Sequence, residues 1–178
     1  MKFKARFLGT PELFIDGTPH IFPFKKAQIL ALMLIEEKTL SKDKICEYLW
    51  ADKTMEKARR NLSNALSHIK KILPVNLSSG GSVVLDAKFK IERDIDLLPR
   101  IDSLGWPEIS GLCSPFFDIA EIDDWASFSD WLLLKRQHYH NMLVRNLKKR
   151  AQAQLAGFAE SRFDDAILCY EKLTECEP

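Results

Sequence analysis

Polar side chains recur along residues 54–73, TMEKARRNLSNALSHIKKIL, at the spacing of an α-helix. One face of that helix would carry Arg60, Asn64, Ser67 and Lys71, separated by four, three and four residues. Guanidinium, amide and hydroxyl groups provide the hydrogen-bond donors and acceptors that match base edges in the major groove of DNA. Two interpretations are open: a solvated amphipathic helix that covers a core, or a helix that packs on one side and binds nucleic acid on the other.

The segments around this helix predict how it is held. Residues 25–38 predict a helix that is apolar around most of its circumference, which is typical of the centre of a domain. Residues 42–50 predict a second helix with Ser41 as its N-cap. Pro74 follows residues 54–73 and predicts the end of the third helix there.

Short strands are predicted on both sides of the three helices. Alternating apolar residues and the turn signal Asp16-Gly17 predict three antiparallel strands at residues 3–8, 12–15 and 19–22. Two apolar runs around Gly80-Gly81 predict a hairpin. Three helices followed by a hairpin form a winged helix, a variant of the helix-turn-helix in which one helix enters the major groove.

The rear part of the chain differs in charge and pattern. Residues 1–98 contain 17 Lys/Arg and 12 Asp/Glu, a net charge of +5, whereas residues 99–178 contain 9 and 13, a net charge of −4. This asymmetry predicts two modules with different partners. Residues 99–124 predict a connector with at most one short helix, and residues 125–156 and 163–174 predict two helices that fit the tetratricopeptide pattern.

Composition narrows the class of protein. The apolar fraction of 46% and the charged fraction of 29% are ordinary for a soluble globular protein. The four cysteines form no C-x-x-C pair and have no histidine at zinc-finger spacing, so we expect reduced thiols and no metal. The longest apolar run, residues 29–35, is too short to cross a membrane, and the first residues are not those of a signal peptide. We therefore predict a cytoplasmic protein with no membrane partner.

Catalytic chemistry has little support in the sequence. We find no nucleophile–base pair and no metal-ligand spacing in it. Gly80-Gly81 lacks the strand–loop–helix context and the lysine of a P-loop. We expect neither enzymatic activity nor a cofactor.

In order and spacing, the segments together resemble the N-terminal part of a bacterial regulator of the SARP type. The matching segments are RFLGTPELFIDG, KKAQILALMLI, LSKDKICEYLW, KARRNLSNALSHIKKIL, SGGSVVLD, DWASFSDWLLLKRQHY and ESRFDDAILCYEKLTECEP. Such proteins join an OmpR-like winged-helix domain to a helical bacterial transcriptional activator domain built on tetratricopeptide-like repeats. The resemblance implies an α+β, mainly α chain, with a winged helix and small antiparallel sheet at residues 1–95 and an incomplete all-α domain at residues 96–178.

The resemblance also implies a function and a set of site residues. It implies a sequence-specific transcriptional activator that binds direct repeats in double-stranded promoter DNA, contacts RNA polymerase and self-associates on those repeats. The residues expected to contact bases are Arg60, Ser63, Asn64 and Ser67. Those expected to contact phosphates are Lys25, Lys26, Lys57, Arg59, His68, Lys70 and Lys71. The expected wing consists of Ser78, Ser79, Gly80, Gly81 and Ser82.

Several alternatives remain open at this point. Arg59 lies near the apolar side of its helix, so pairing with an acid is as well supported as a DNA contact. Lys25 and Lys26 oppose the dipole at a helix start, which either solvation or a bound phosphate would relieve. Residues 77–84 carry no charge, unlike the usual wing of the family. A tetratricopeptide-like module that binds proteins and not DNA is the second functional hypothesis.

Overall fold

A computed structural model describes residues 1–78, 80–119, 126–155 and 161–176. Its six α-helices are α1 (Lys25–Glu37), α2 (Lys42–Trp50), α3 (Met55–Ile69), α4 (Trp106–Leu112), α5 (Ala126–Leu155) and α6 (Ser161–Cys176). Its seven strands are β1 (Phe3–Arg6), β2 (Glu12–Ile15), β3 (Thr18–Pro19), β4 (Thr39–Ser41), β5 (Val75–Leu77), β6 (Ser82–Leu85) and β7 (Glu92–Arg93). A 3-10 helix covers Asp94–Ser103. The chain is mainly helical with two small sheets, as its sequence predicts.

Helix α1 is the centre of the core. Ala27 and all seven residues from Ile29 to Ile35 are buried, so the helix has almost no solvent-facing side. It contacts β2, α3, β4 and β6, which surround it. The prediction of a central helix is confirmed, because a helix that is apolar all round must be enclosed.

The N-terminal sheet has the strand order β3-β2-β1-β7. The hairpin between β2 and β3 turns at Asp16 and Gly17, whose φ angles of 49° and 83° lie in the left-handed region that Gly and Asp tolerate best. The three predicted strands pair antiparallel, as expected, and β7 adds a fourth strand that pairs with β1 in parallel. A strand can pair in parallel with an earlier strand only after a long connection. The local sequence pattern does not show where that connection ends.

A second sheet, of order β4-β6-β5, contains the predicted hairpin and one unpredicted strand. Thr39 to Ser41 pair with β6, so the segment that leads into α2 is a strand, which the local sequence pattern does not predict. Ser41 also caps α2, and its Oγ accepts a hydrogen bond from the Lys44 amide at 3.2 Å. Its role as N-cap is confirmed.

The helical rear part departs from the prediction in one place. Residues 99–124 were expected to contain at most one short helix, yet the 3-10 helix reaches Ser103 and α4 follows at once. Pro99 and Pro107 suggest irregular structure in the sequence. Both nevertheless lie in helical segments, because proline is tolerated in first turns and 3-10 segments. Helix α5 runs unbroken for 30 residues and packs along α6. Gly157, which follows the first of the two predicted helices and is expected to end it, lies outside the described residues.

The two parts of the chain share one hydrophobic core. Residues 7–9 hydrogen-bond to residues 115–118, with the Phe117 amide donating to the Phe7 carbonyl at 2.7 Å. The Asp94 carboxylate accepts hydrogen bonds from the amides of Phe7, Leu8 and Ile95 at 2.8–2.9 Å. The boundary between residues 95 and 96 stays a prediction. Within the described residues, no helix is both long and apolar enough to cross a membrane.

Polar groups also join α5 to the end of α1. The Glu36 carboxylate accepts hydrogen bonds from the Tyr139 hydroxyl at 2.6 Å and from the Lys135 ammonium at 2.8 Å. The Trp131 indole donates to Glu37 at 3.0 Å. Burial, followed by the hydrogen bond to Glu36, raises the pKa of Tyr139, so that this side chain remains a donor.

A buried ion pair joins α5 to α6, and α4 contributes a hydrogen bond to it. The Arg150 guanidinium donates to both oxygens of Asp165 at 2.9 Å and to the carbonyls of Ile101 and Leu104 at 2.7 and 2.8 Å. The Trp106 indole donates to the same carboxylate at 2.7 Å. The hydrogen bond from Arg150 holds the pKa of Asp165 below its ordinary value.

We expect Asp165→Ala to lower the free energy of unfolding by about 3 kcal/mol, because it leaves the Arg150 guanidinium buried without its counter-ion. Since the native pKa is depressed, the contribution of Asp165 is present above pH ~4 and is lost as the pH falls through that pKa. Urea denaturation at several pH values will measure both effects. The exposed neighbour Asp164 is the control, and Asp164→Ala should cost less than about 1 kcal/mol. A difference between wild type and Asp165→Ala that stayed constant down to pH 2 would contradict the ion-pair account.

Candidate nucleic-acid interface

Helix α3 has two distinct faces. Ala58, Leu62, Ala65, Leu66 and Ile69 are buried, and the helix packs against α1 and α2. On the other side, Arg60, Ser63, Asn64 and Ser67 are all exposed. The helix ends at Ile69, earlier than the predicted Leu73, and Lys70 to Leu73 form turns before Pro74. The division of faces follows the predicted pattern, and the candidate base-contacting side chains all lie on one surface.

These side chains border a shallow depression. It is lined by Arg60, Asn61, Ser63, Asn64 and Ser67. Asn61 was not among the predicted site residues. Its position three residues before Asn64 places it on the edge of the same face, and that spacing was the signal that could have identified it.

The candidate base-contacting side chains differ in the hydrogen bonds that they already form within the protein. Ser67 Oγ donates to the Asn64 carbonyl at 2.7 Å, so its hydroxyl has only acceptor capacity left for a ligand. Among the described residues, the side chains of Arg60, Ser63 and Asn64 have no hydrogen-bond or ion-pair partner. Their full donor and acceptor sets face solvent, as a surface that binds an external polar ligand requires.

Arg59 forms an ion pair within the protein. Its Nη2 lies 3.2 Å from Asp43 Oδ1 on α2, and both side chains are more than half exposed. Of the two alternatives for Arg59, the structure therefore contains the pairing with an acid. The pair joins α3 to α2 at the edge of the polar face.

The other candidate phosphate contacts lie on two elements. Lys57, Lys70 and Lys71 are exposed on α3 or just beyond its end, and Lys25 is exposed at the first residue of α1. Lys26 is half-buried, with its Nζ 5.9 Å from the centre of the Trp50 ring. Helix α1 has no acid in its first turn and no side-chain cap at Phe24.

The His68 ring packs against another aromatic ring within the protein. Its ring meets that of Phe24 edge to face, with 6.1 Å between the centroids. Phe24 directly precedes α1, so His68 helps to hold the start of α1 against α3. Its half-buried ring leaves a smaller surface for a phosphate than the lysines have.

The β5–β6 hairpin corresponds to the predicted wing, and its polar groups are largely engaged. Ser78 Oγ accepts from the Ser82 amide at 3.1 Å, and the Gly81 carbonyl accepts from the Lys42 amide at 3.1 Å. Gly81 has a φ of +77°, which other residues rarely adopt. Gly80 is exposed, and Ser79 lies outside the described residues. The hairpin can offer a ligand backbone groups and hydroxyls but no charge.

The described part of the chain gives no support for a metal centre or for a nucleophilic role of its two buried thiols. The described residues contain no group of three or more His, Cys, Asp or Glu side chains that could hold a metal ion. Cys46 and Cys169 are buried thiols, and burial raises the pKa of Cys169 to about 11. A thiol with a raised pKa is a poor nucleophile at neutral pH.

Comparison with known proteins gives a structural relationship but no match in sequence. No family model and no curated protein matches the sequence. Among solved structures, the chain is similar to that of EmbR from Mycobacterium tuberculosis in complex with a low affinity phosphopeptide, with a TM-score of 0.57 and 16% identity. The match covers 98% of this chain and 56% of that one, so this chain spans about half the length of its neighbour. At this identity the relationship shows a shared fold.

We expect Arg59→Ala and Asp43→Ala each to change the free energy of unfolding by less than about 1 kcal/mol, because an exposed ion pair is screened by water. Urea denaturation of both variants and of the double variant gives the coupling between the two side chains. The coupling should fall further in 1 M NaCl. A loss above about 2 kcal/mol for either single variant would mean that the pair is essential to the packing of α2 on α3.

Proposed function

We propose that this chain is the N-terminal part of a SARP-type transcriptional regulator that binds double-stranded DNA by inserting α3 into the major groove. The observation that carries the proposal is the solvent-facing row Arg60, Ser63 and Asn64 on a helix whose other face is buried. The fold similarity to EmbR, a regulator of the SARP family, supports it. So does the order of three helices followed by a hairpin, which is that of a winged helix.

Base recognition would come mainly from two side chains. Arg60 can donate two hydrogen bonds to O6 and N7 of guanine, and Asn64 can bond to N6 and N7 of adenine. Neither is engaged by another described residue, so no internal bond has to break before DNA binds. Ser63, Ser67 and Asn61 border the same depression and would add single hydrogen bonds.

Phosphate contacts would position the helix without choosing the sequence. Lys57, Lys70 and Lys71 lie on or beside α3, and Lys25 and Lys26 open α1. Arg59 and His68 would contribute less, since each already has a partner inside the protein. Because residues 77–84 carry no charge, the hairpin would add only neutral contacts. Helix α3 would therefore supply nearly all of the sequence preference.

The helical rear part would serve a different partner. By the family resemblance, α5 and α6 belong to an activator domain that contacts RNA polymerase, and the regulator binds direct repeats as more than one copy. The net charge of −4 over residues 99–178 disfavours binding of this part to DNA. The domain boundary near residue 95 belongs to the same proposal.

We expect Arg60→Ala and Asn64→Ala to weaken binding to the preferred DNA site by about 1–3 kcal/mol and to relax the preference at one base pair each. Lys71→Ala should weaken specific and random DNA to a similar extent and lower the salt slope by about one. Sites selected from a random DNA pool, followed by anisotropy titrations at several salt concentrations, will measure these effects.

The control for charge is Lys149→Ala, which removes an exposed lysine from α5 and should leave DNA affinity unchanged. An equal loss on specific and random DNA for Arg60→Ala would show that Arg60 is a phosphate contact. It would remove the central base contact from the proposal.

A second candidate function is a protein-binding module without DNA affinity. It is favoured by the exposed apolar side chains Ile167, Leu168 and Tyr170 on α6, because such groups often mark an interaction surface. A gel shift at two salt concentrations separates the two functions. Binding that weakens with salt supports the regulator, and the absence of any shift with the selected DNA supports the protein-binding module.

A further inference from the structure

A cavity of about 530 Å³ lies between α5 and the segment that follows α4. Its volume falls within the range of about 300–1,000 Å³ that is common for small-molecule sites. None of its lining residues belongs to the candidate nucleic-acid interface. The cavity opens where residues 112–116 pass beside the middle of α5.

Apolar side chains form most of the inner wall. Leu8, Leu112, Phe116 and Leu143 line the cavity and are at most 5% exposed. At the rim, Leu133 remains 66% exposed, although it borders these buried groups. An exposed leucine over an apolar wall would bury its surface against a ligand that enters the cavity.

The polar groups of the lining favour a negative charge. Arg136 is held in place by hydrogen bonds from Nε to the Phe116 carbonyl at 2.9 Å and from Nη2 to the Phe117 carbonyl at 2.7 Å. Its Nη1 has no hydrogen bond within the described part of the chain. The half-buried ring of His140 likewise has no hydrogen-bond partner among the described residues. Among the residues that line the cavity, none is acidic.

We propose that this cavity binds a small organic anion with an aromatic or alicyclic body and one carboxylate or sulfonate group. The apolar wall would take the body, and Arg136 with His140 would face the charge. A guanidinium already fixed by two carbonyls loses little conformational freedom when it binds an anion. The proposal does not depend on DNA binding.

Two dyes of similar shape test the proposal with the full chain. The anionic probe is 1-anilinonaphthalene-8-sulfonate, and the neutral probe is N-phenyl-1-naphthylamine, which lacks the sulfonate. We expect saturable fluorescence from the anionic dye with one site per chain and an affinity at least fivefold above that of the neutral dye. Equal affinities would overturn the assignment of an anion site.

A pair of variants on adjacent residues locates the dye. Leu133→Glu adds a negative charge at the rim and should weaken the anionic dye at least tenfold. Leu134→Glu makes the same change at a side chain that is 73% exposed and does not line the cavity, and should weaken it less than twofold. An equal effect of both variants, or none from Leu133→Glu, would place the dye elsewhere and overturn the proposal. Circular dichroism should show both variants folded, since both leucines are exposed.

Two further measurements address the polar groups and the wall. His140→Ala should weaken the anionic dye more than the neutral one, and an equal loss for both dyes would contradict a role in binding the charge. Cys113 lines the cavity and is half-buried, so bound dye should slow its alkylation by iodoacetamide several-fold, as measured by mass spectrometry of the Cys113 peptide. An unchanged rate at saturating dye would show that the cavity is empty.

Discussion

The burial of α1 on all sides is the constraint on which the rest of the structure depends. A helix without a polar face has no stable position at a surface, so strands and helices must enclose it. Strand β2, the β4–β6 pair and α3 do this directly. Helix α3 can contribute only its apolar side to this enclosure, which turns Arg60 and Asn64 outward. The surface offered to a ligand is therefore a consequence of how the core is closed.

The same helix determines where the rear part of the chain packs. Its last turn carries Glu36, whose side chain is only 7% exposed, and a buried carboxylate needs donors close by. Lys135 and Tyr139 provide them from the middle of α5. Asp94 meets the same requirement through backbone amides, although burial still raises its pKa above the ordinary value. The contacts of Glu36 thus connect the front and rear parts. Those of Asp94 fix the start of the 3-10 helix, which crosses the boundary between the two parts, to residues 7 and 8.

The local sequence pattern predicts the elements that are determined by interactions between residues close in sequence. The apolar circumference of α1, the Ser41 cap and the Asp16-Gly17 turn all depend on neighbours within a few residues, and each occurs in the structure. The elements that were missed depend on partners far along the chain. Strand β4 exists because β6 pairs with it from residues 82–84, and the parallel pairing of β7 with β1 joins residues 88 positions apart. The Arg150–Asp165 pair and the cavity beside Phe116 likewise arise only when distant segments meet. On α3, exposure followed from periodicity, whereas the Arg59–Asp43 pair and the Ser67 back-bond required the positions of other atoms.

Tyr139 lies where the proposed ligand cavity meets the C-terminal end of α1. It lines the cavity and also donates its hydroxyl proton to Glu36 at the C-terminal end of α1. The opposite end of α1 carries Lys25 and Lys26 and meets His68 of α3 through Phe24. With an uncharged hairpin, the proposed DNA contacts would depend on α3 and on its placement against α1.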